Sequence, residues 1–260
     1  MSYKRQLSLE FNQGHKFKPL DTSGGSPPPR SQLLLGFGRY DIYTFETYVP
    51  GINQDVVKSL LDASTGRSHR NLYLWGERGT GKSHLLQAVC NSAVLSERPC
   101  AYIPLTRLDE LTPEMFSSLE ELDLVCLDDI EEAAGKDQWE MALFHLFNRL
   151  KDAKTPLVMS SGRSPQGSHI RLPDLKSRLS WDLCFHLRPL DDENKTAALK
   201  RRAQDRGFEL TDQVVQFLIN RVNRDTHNLF RWLDRLDRDS LVAQRKLTVE
   251  FVKEILKDSR

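Results

Sequence analysis

Apolar residues along this chain follow two regimes that change near residue 189. Before that point, short apolar runs alternate with stretches at helical spacing; beyond it, only helical spacing remains. The runs at 71–75 (NLYLW), 100–105 (CAYIPL), 122–129 (LDLVCLDD), 156–161 (PLVMSS) and 183–187 predict five strands. Their near-continuous apolar character belongs to parallel strands covered on both faces. Helices are expected from near Asn53, over 83–96, over 108–122 despite Pro113, and over 137–153, where Trp139, Leu143, Leu146, Phe147 and Leu150 form one stripe. This alternation predicts a doubly wound parallel α/β sheet.

After Pro189, Asp191 or Asp192 caps a helix that Gly207 ends, Thr211 starts another through 222, and further helices cover 228–245 and 248–256. Stripes such as Val214, Phe217, Leu218 and Leu229, Trp232, Leu233, Leu236 call for a small bundle, a lid able to close over a ligand. Arg221, Arg224, Arg231, Arg235 and Arg238 interleave there with aspartates 225, 234, 237 and 239, which reads as a solvated, mutually neutralising face. Residues 1–30 are different. They are rich in Gly, Pro, Ser and Lys without a period, as in a flexible tail. The organisation is therefore 1–30 tail, 31–188 α/β domain and 189–260 helical lid.

The first strand runs into Gly76-Glu77-Arg78-Gly79-Thr80-Gly81-Lys82-Ser83, a G-x-x-x-x-G-K-S phosphate-binding loop in its required strand, loop and helix context. Backbone N–H groups of the loop, through Gly79, Thr80, Gly81 and His84 at the helix start, converge where a polyphosphate supplies negative charge. Lys82 is placed to reach the β- and γ-phosphates and Ser83 to hold Mg²⁺. The third strand ends in Asp128 and Asp129 on the same side of the sheet, a Walker B pattern. Asp128 would help hold the metal and Asp129 would orient or deprotonate water, unless the pair merely caps the next helix. Tyr43, Phe45 and Tyr48 either wall a nucleoside base or pack under the sheet, the latter expected for at least two of them.

Composition narrows the setting. Of 260 residues 39% are hydrophobic and 28% charged, which excludes a largely disordered chain, and a net charge of +1 argues against a surface devoted to nucleic acid. Cys90, Cys100, Cys126 and Cys184 lie far apart without ligand spacing and read as buried thiols of a reducing compartment. No run suits a membrane span and the first residues lack a signal-peptide core, so a cytoplasmic protein is expected.

The order of P-loop, Walker B, a strand ending in small polar residues, an arginine before the fifth strand and a helical lid resembles the AAA+ ATPases of the bacterial initiator clade. GTGKSHLLQA, LDDIE, LKSRLSW and QRKLTVEFVKEIL are most similar to its regulators related to the initiator DnaA. In the tail, Gln6, Leu9 and Phe11 resemble the Q-x-x-L-x-F peptide with which bacterial replication proteins bind the sliding clamp, with Leu7 as a further apolar contact, although a chance match or a strand pairing with the core is the other reading of so short a stretch. The resemblance implies a P-loop AAA+ fold that binds ADP or ATP with Mg²⁺. It also implies an arginine finger at Arg178 acting in trans on ATP held by DnaA, and contact with DNA only through the clamp. Homodimers or higher oligomers belong to the same expectation. The alternative for Arg178 is an arginine in a surface ion pair. With no helix-turn-helix read between the lid and Arg260, and an initiator needing one, a role other than initiator is expected.

Two positions depart from the clade. His227 stands where the lid's sensor 2 arginine is expected, with Arg231 one turn on as a substitute, and Gly162 stands where an aspartate is usual. Both changes remove groups that sense a γ-phosphate, so weak or absent hydrolysis of its own nucleotide is expected. The implied function is inactivation of DnaA by promoting hydrolysis of its ATP. A helicase loader and a free-standing ATPase of mobile-element type are the alternatives.

Overall fold

The computed structural model describes residues 43–222 and 225–257. The tail peptide at Gln6 to Phe11 and Arg224 lie outside them. Five strands, β1 (Leu72–Trp75), β2 (Cys100–Pro104), β3 (Leu124–Asp128), β4 (Leu157–Ser161) and β5 (Leu183–His186), pair in parallel in the order β2-β3-β4-β1-β5. The chain leaves β1 for the edge strand β2, so a crevice opens above the C-terminal end of β1, where such sheets bind ligands.

Helices α1 (Gln54–Ser64) and α2 (Lys82–Leu95) cover one face, and α3 (Asp137–Ala153) and α4 (Pro173–Leu179) the other. Alternation along β1 feeds both cores: Leu72 and Leu74 pack toward α1 and α2, while Tyr73 joins the cluster of α3 and α4. The lid comprises α5 (Asp192–Asp205), α6 (Asp212–Arg221), α7 (Thr226–Ala243) and α8 (Val249–Lys257) around its own core of Leu199, Leu218, Leu229, Leu233 and Val252. Asp191, Thr211 and Asp225 cap α5, α6 and α7 through their side chains. Asn53, at the start of α1, holds the segment that leaves β5 ahead of the lid: its amide donates to Arg188 O (3.0 Å) and accepts from Arg188 N (2.9 Å).

Three expectations need correction. The helix expected over 108–122 is three short 3₁₀ turns, Leu105–Glu110, Pro113–Phe116 and Leu119–Glu121. Pro113 lacks an N–H and holds Thr112 extended, and Ser118 is left-handed at φ 63°, so no helix can run through. Helix α7 begins ahead of Asn228 because Asp225 supplies the cap. Cys90, Cys100 and Cys126 are buried as expected, but Cys184 is exposed: β5 is only partly covered along its length, unlike the other edge strand β2, whose Cys100 is buried. Among the described residues no helix is long and apolar enough to cross a membrane.

Candidate functional site: a phosphate cradle between sheet and lid

The loop between β1 and α2 is built as its sequence requires. Gly79 and Gly81 sit at φ +85° and +91°, where L side chains are strained. A Cβ on Gly79 would overlap the Asp225 carboxylate and lie 2.9 Å from His227 N; one on Gly81 would lie 2.7 Å from a ring carbon of Tyr48. Gly76 is buried at the end of β1, and its carbonyl accepts from Lys82 Nζ (2.8 Å), which also donates to Glu77 O (3.2 Å). Thr80 is pinned by Oγ1 to Glu77 O (2.9 Å), and Tyr48 OH donates to Thr80 O (3.3 Å). Above the loop lies a cavity of about 470 Å³, lined by residues 79–84, Tyr43, Tyr48, Asp129 and the lid residues His227, Phe230 and Arg231. Its size and its N–H-rich floor at the start of α2 fit a phosphorylated ligand. Tyr43 and Tyr48 both contact the ring of His84 edge-on, while Phe45 packs into the core.

The two carboxylates at the end of β3 have different surroundings. Asp128 is 2% exposed, and both its oxygens are occupied: Tyr102 OH donates to one (2.6 Å) and Ser160 Oγ to the other. Asp129 turns into the left-handed region (φ 57°), donates its N–H to Ser160 Oγ (2.9 Å) and faces the cavity. Burial, reinforced by the charges of Asp128 and Glu131 and opposed by Lys82, pushes Asp129 up to about 7. Such a group holds or releases a proton near neutrality, as a general base must. Of the expected metal-binding pair, Ser83 lines the cavity, and Asp128 stands behind Asp129 in a hydroxyl cage. A hard cation that shares phosphate oxygens needs only one or two such protein oxygens, so the donor set fits Mg²⁺.

Across the cleft, Arg78 Nη2 lies 2.9 Å from His227 Nε2, joining the phosphate loop to α7. Arg231 lines the same cavity. The lid's charges are not simply a solvated face: Asp234 pairs with Arg202 (3.4 Å) and Arg206 (2.8 Å), and all three line the cavity.

Sequence reasoning missed three features. Glu131 Oε1 accepts from Gly162 N (2.6 Å) and would lie 3.0 Å from a Cβ there, so its carboxylate fills room that residue 162 leaves. Its signal was the acid closing LDDIE. Glu140, on α3, is a charged residue buried to 2% exposure, hidden in an apolar stripe. The third feature is in the sequence alone: Gln32-Leu33-Leu34-Leu35-Gly36-Phe37 repeats the Q-L-x-L-x-F pattern of Gln6 to Phe11, and an internal-repeat search finds it. Both hexapeptides lie outside the described residues.

The bacterial DnaA ATPase domain profile matches residues 40–186, and that of the Hda lid domain matches residues 192–256. The chain belongs to the bacterial DnaA ATPase-domain family. Among solved structures, domain III of the Thermotoga maritima replication initiation protein DnaA superposes with a TM-score of 0.73 at 27% identity, covering 83% of this chain and 96% of that one. A Thermotoga maritima RuvB structure shares the fold at 14% identity, with a TM-score of 0.65, over 85% of this chain and 73% of its own. An uncharacterized Haemophilus influenzae protein is 42% identical over 226 residues, 86% of this chain and 98% of that protein.

In this Hda-like, DnaA-related AAA+ protein, Arg178 does not line the cavity beside its own phosphate loop. It sits near the end of α4, with its guanidinium carbon 4.7 Å from the ring centre of Phe144, 5.0 Å from Trp181 and 6.0 Å from Phe147. No carboxylate pairs with it among the described residues. Cation–π contacts hold the head group without neutralising it.

Proposed function

We propose that this protein inactivates the replication initiator DnaA by supplying Arg178 to ATP bound on DnaA. The observation that carries this reading is the position of Arg178: a guanidinium caged by three aromatic rings, with no carboxylate partner among the described residues and outside the lining of its own cavity. An arginine delivered in trans completes the charge clamp on a transferring phosphoryl group and is worth about 10³ to 10⁵ in rate.

The protein's own cavity holds ADP, with Gly79, Thr80, Gly81, Lys82, Ser83 and His84 around the phosphates, Tyr48 near the base, and Ser83 with Asp128 on Mg²⁺. Mg²⁺ supplies charge neutralisation between phosphate oxygens when bound. His227 and Gly162 leave out two γ-phosphate sensors, which favours a diphosphate serving as a structural ligand that fixes the angle of the lid. Asp129 is poised as a base but lacks those partners, so hydrolysis in this cavity is slow.

A Q-L-x-L-x-F peptide tethers the protein to a DNA-loaded sliding clamp in the cytoplasm. A flexible chain as long as the 31 residues between Phe11 and Tyr43 spans roughly 30 Å, which turns a weak encounter into one at high local concentration. The hexapeptide at Gln32 to Phe37, of the same pattern, offers a second candidate docking point.

The test mixes clamp-loaded DNA, ATP-bound DnaA and this protein. DnaA-bound ATP should turn over only in the complete mixture. Replacing Gln6 and Leu9 with alanine, Gln32 and Leu35 with alanine, or all four shows which hexapeptide tethers. Full stimulation by the fourfold variant, or none from the wild type, contradicts the reading.

A further inference from the structure

Helix α4 carries Arg178 but has little to hold it in place. It is seven residues long, buries only Leu175 and Leu179, and its leading residue Leu172 offers no side-chain cap. Isolated helices this short do not persist, so neighbours must set its direction. One stripe of α3 does so. Glu140, Phe144 and Phe147 stand at i, i+4 and i+7, one face of that helix. Phe144 and Phe147 meet the Arg178 guanidinium. Glu140 meets the entry to α4: Oε1 accepts from Arg171 N (3.0 Å), and Oε2 from Arg171 N (2.9 Å) and Leu172 N (2.7 Å). Oε1 also accepts from Gly135 N (2.7 Å), in the turn that follows Asp129 and Glu131.

The carboxylate is 2% exposed, and no cation reaches it among the described residues. A buried charge without a counter-ion is costly unless hydrogen bonds replace water, and three backbone N–H donors do so here. Glutamine would fill the same volume but present an NH₂ group to donors that cannot accept. The carboxylate thus straps two loops together, the one leaving the end of β3 and the one entering α4.

We propose that Glu140 is the positioning residue for Arg178, fixing the start of α4 so that its other end presents the guanidinium from the aromatic cage. It acts through the backbone of Arg171 and Leu172 and touches no nucleotide. The inference rests on the trans-acting role of Arg178 only for its effect on turnover; the strap itself is read without a partner.

The experiment uses the full chain labelled with ¹⁵N at arginine. Ring currents of Phe144, Phe147 and Trp181 should displace the Arg178 Nε–H resonance, which Arg178→Lys assigns. In Glu140→Gln that resonance should move toward those of exposed arginines, while ADP affinity stays within about twofold. Turnover of DnaA-bound ATP at saturating protein should fall about ten- to hundredfold, with the half-saturating concentration within about threefold, because misorientation costs rate more than encounter. Glu140→Asp, keeping the charge on a shorter stem, should recover part of both readings, and it replaces the glutamine variant if that one does not fold. An unmoved resonance overturns the proposal. So does wild-type turnover at saturation, or a loss confined to half-saturation. A wild type with the displaced resonance but no effect on DnaA sinks the trans-acting role and leaves the strap standing.

Discussion

Arg78 and His227 meet across the cleft at 2.9 Å, one from the phosphate loop and one from the first turn of the lid helix that faces it. The guanidinium can only donate, so Nε2 of His227 must accept, and the contact exists only while the imidazole is neutral. Burial, with Arg78 adding to it, lowers the His227 pKa below its ordinary value. For a depressed histidine the neutral, bonded form prevails above the usual histidine range and is lost as pH falls through the lower folded value. ADP release should therefore quicken on going from pH 7.5 to 5, by about two- to tenfold for one hydrogen bond. Arg78→Ala should release ADP faster at pH 7.5 and lose most of that pH dependence. Stopped-flow release of a fluorescent ADP analogue reads both.

Asp129 gives a prediction of opposite sign. Its folded pKa is raised from 3.8 to about 7, so the folded state holds a proton that the unfolded chain has given up. Stability should fall as pH rises through that window and level off above it. Asp129→Asn, neutral throughout, should melt higher than the wild type at pH 8, with the advantage shrinking below pH 7 and vanishing near pH 4. A wild-type melting temperature that rises from pH 4 to pH 7 relative to Asp129→Asn would show that the carboxylate is not under strain.

Tyr102 and Asp128 share a 2.6 Å bond in the buried layer between β2 and β3, and Gln87 Nε2 donates to the same hydroxyl (3.2 Å). Tyr102→Phe should cost about 1.5–3 kcal/mol, as expected for a lost bond to a charged group. Denaturant melts should show this with an unchanged slope. Loosened Asp128 should also weaken Mg²⁺-dependent nucleotide binding, measured by titration with and without the metal.

Most of the sheet and lid could be read from the chain because its signals are local. Apolar runs ending in Trp75, Asp128 and Ser161 became strands ending at one level, and Asp191 and Thr211 capped the helices they were expected to cap. The 3₁₀ turns over residues 105–121 were misread because the apolar spacing there is helical, while Pro113 and a left-handed Ser118 decide the backbone. What sequence could not show was pairing at a distance. Glu140 bonds to Arg171 and Leu172, and Glu131 to Gly162, 31 residues on. Nor does spacing reveal that Asp128 is enclosed by two hydroxyls while Asp129 alone faces the cavity.

The central claim is that Arg178 acts on another protein's nucleotide. Single-turnover hydrolysis of ATP pre-bound to DnaA, on clamp-loaded DNA, tests it most directly when wild type is compared with Arg178→Ala. The variant should bind ADP and the clamp like the wild type yet lose at least about 10³-fold of the stimulated rate, and Arg178→Lys should recover little because an ammonium cannot reproduce the planar fork. Stimulation by Arg178→Ala equal to that of the wild type would contradict the account.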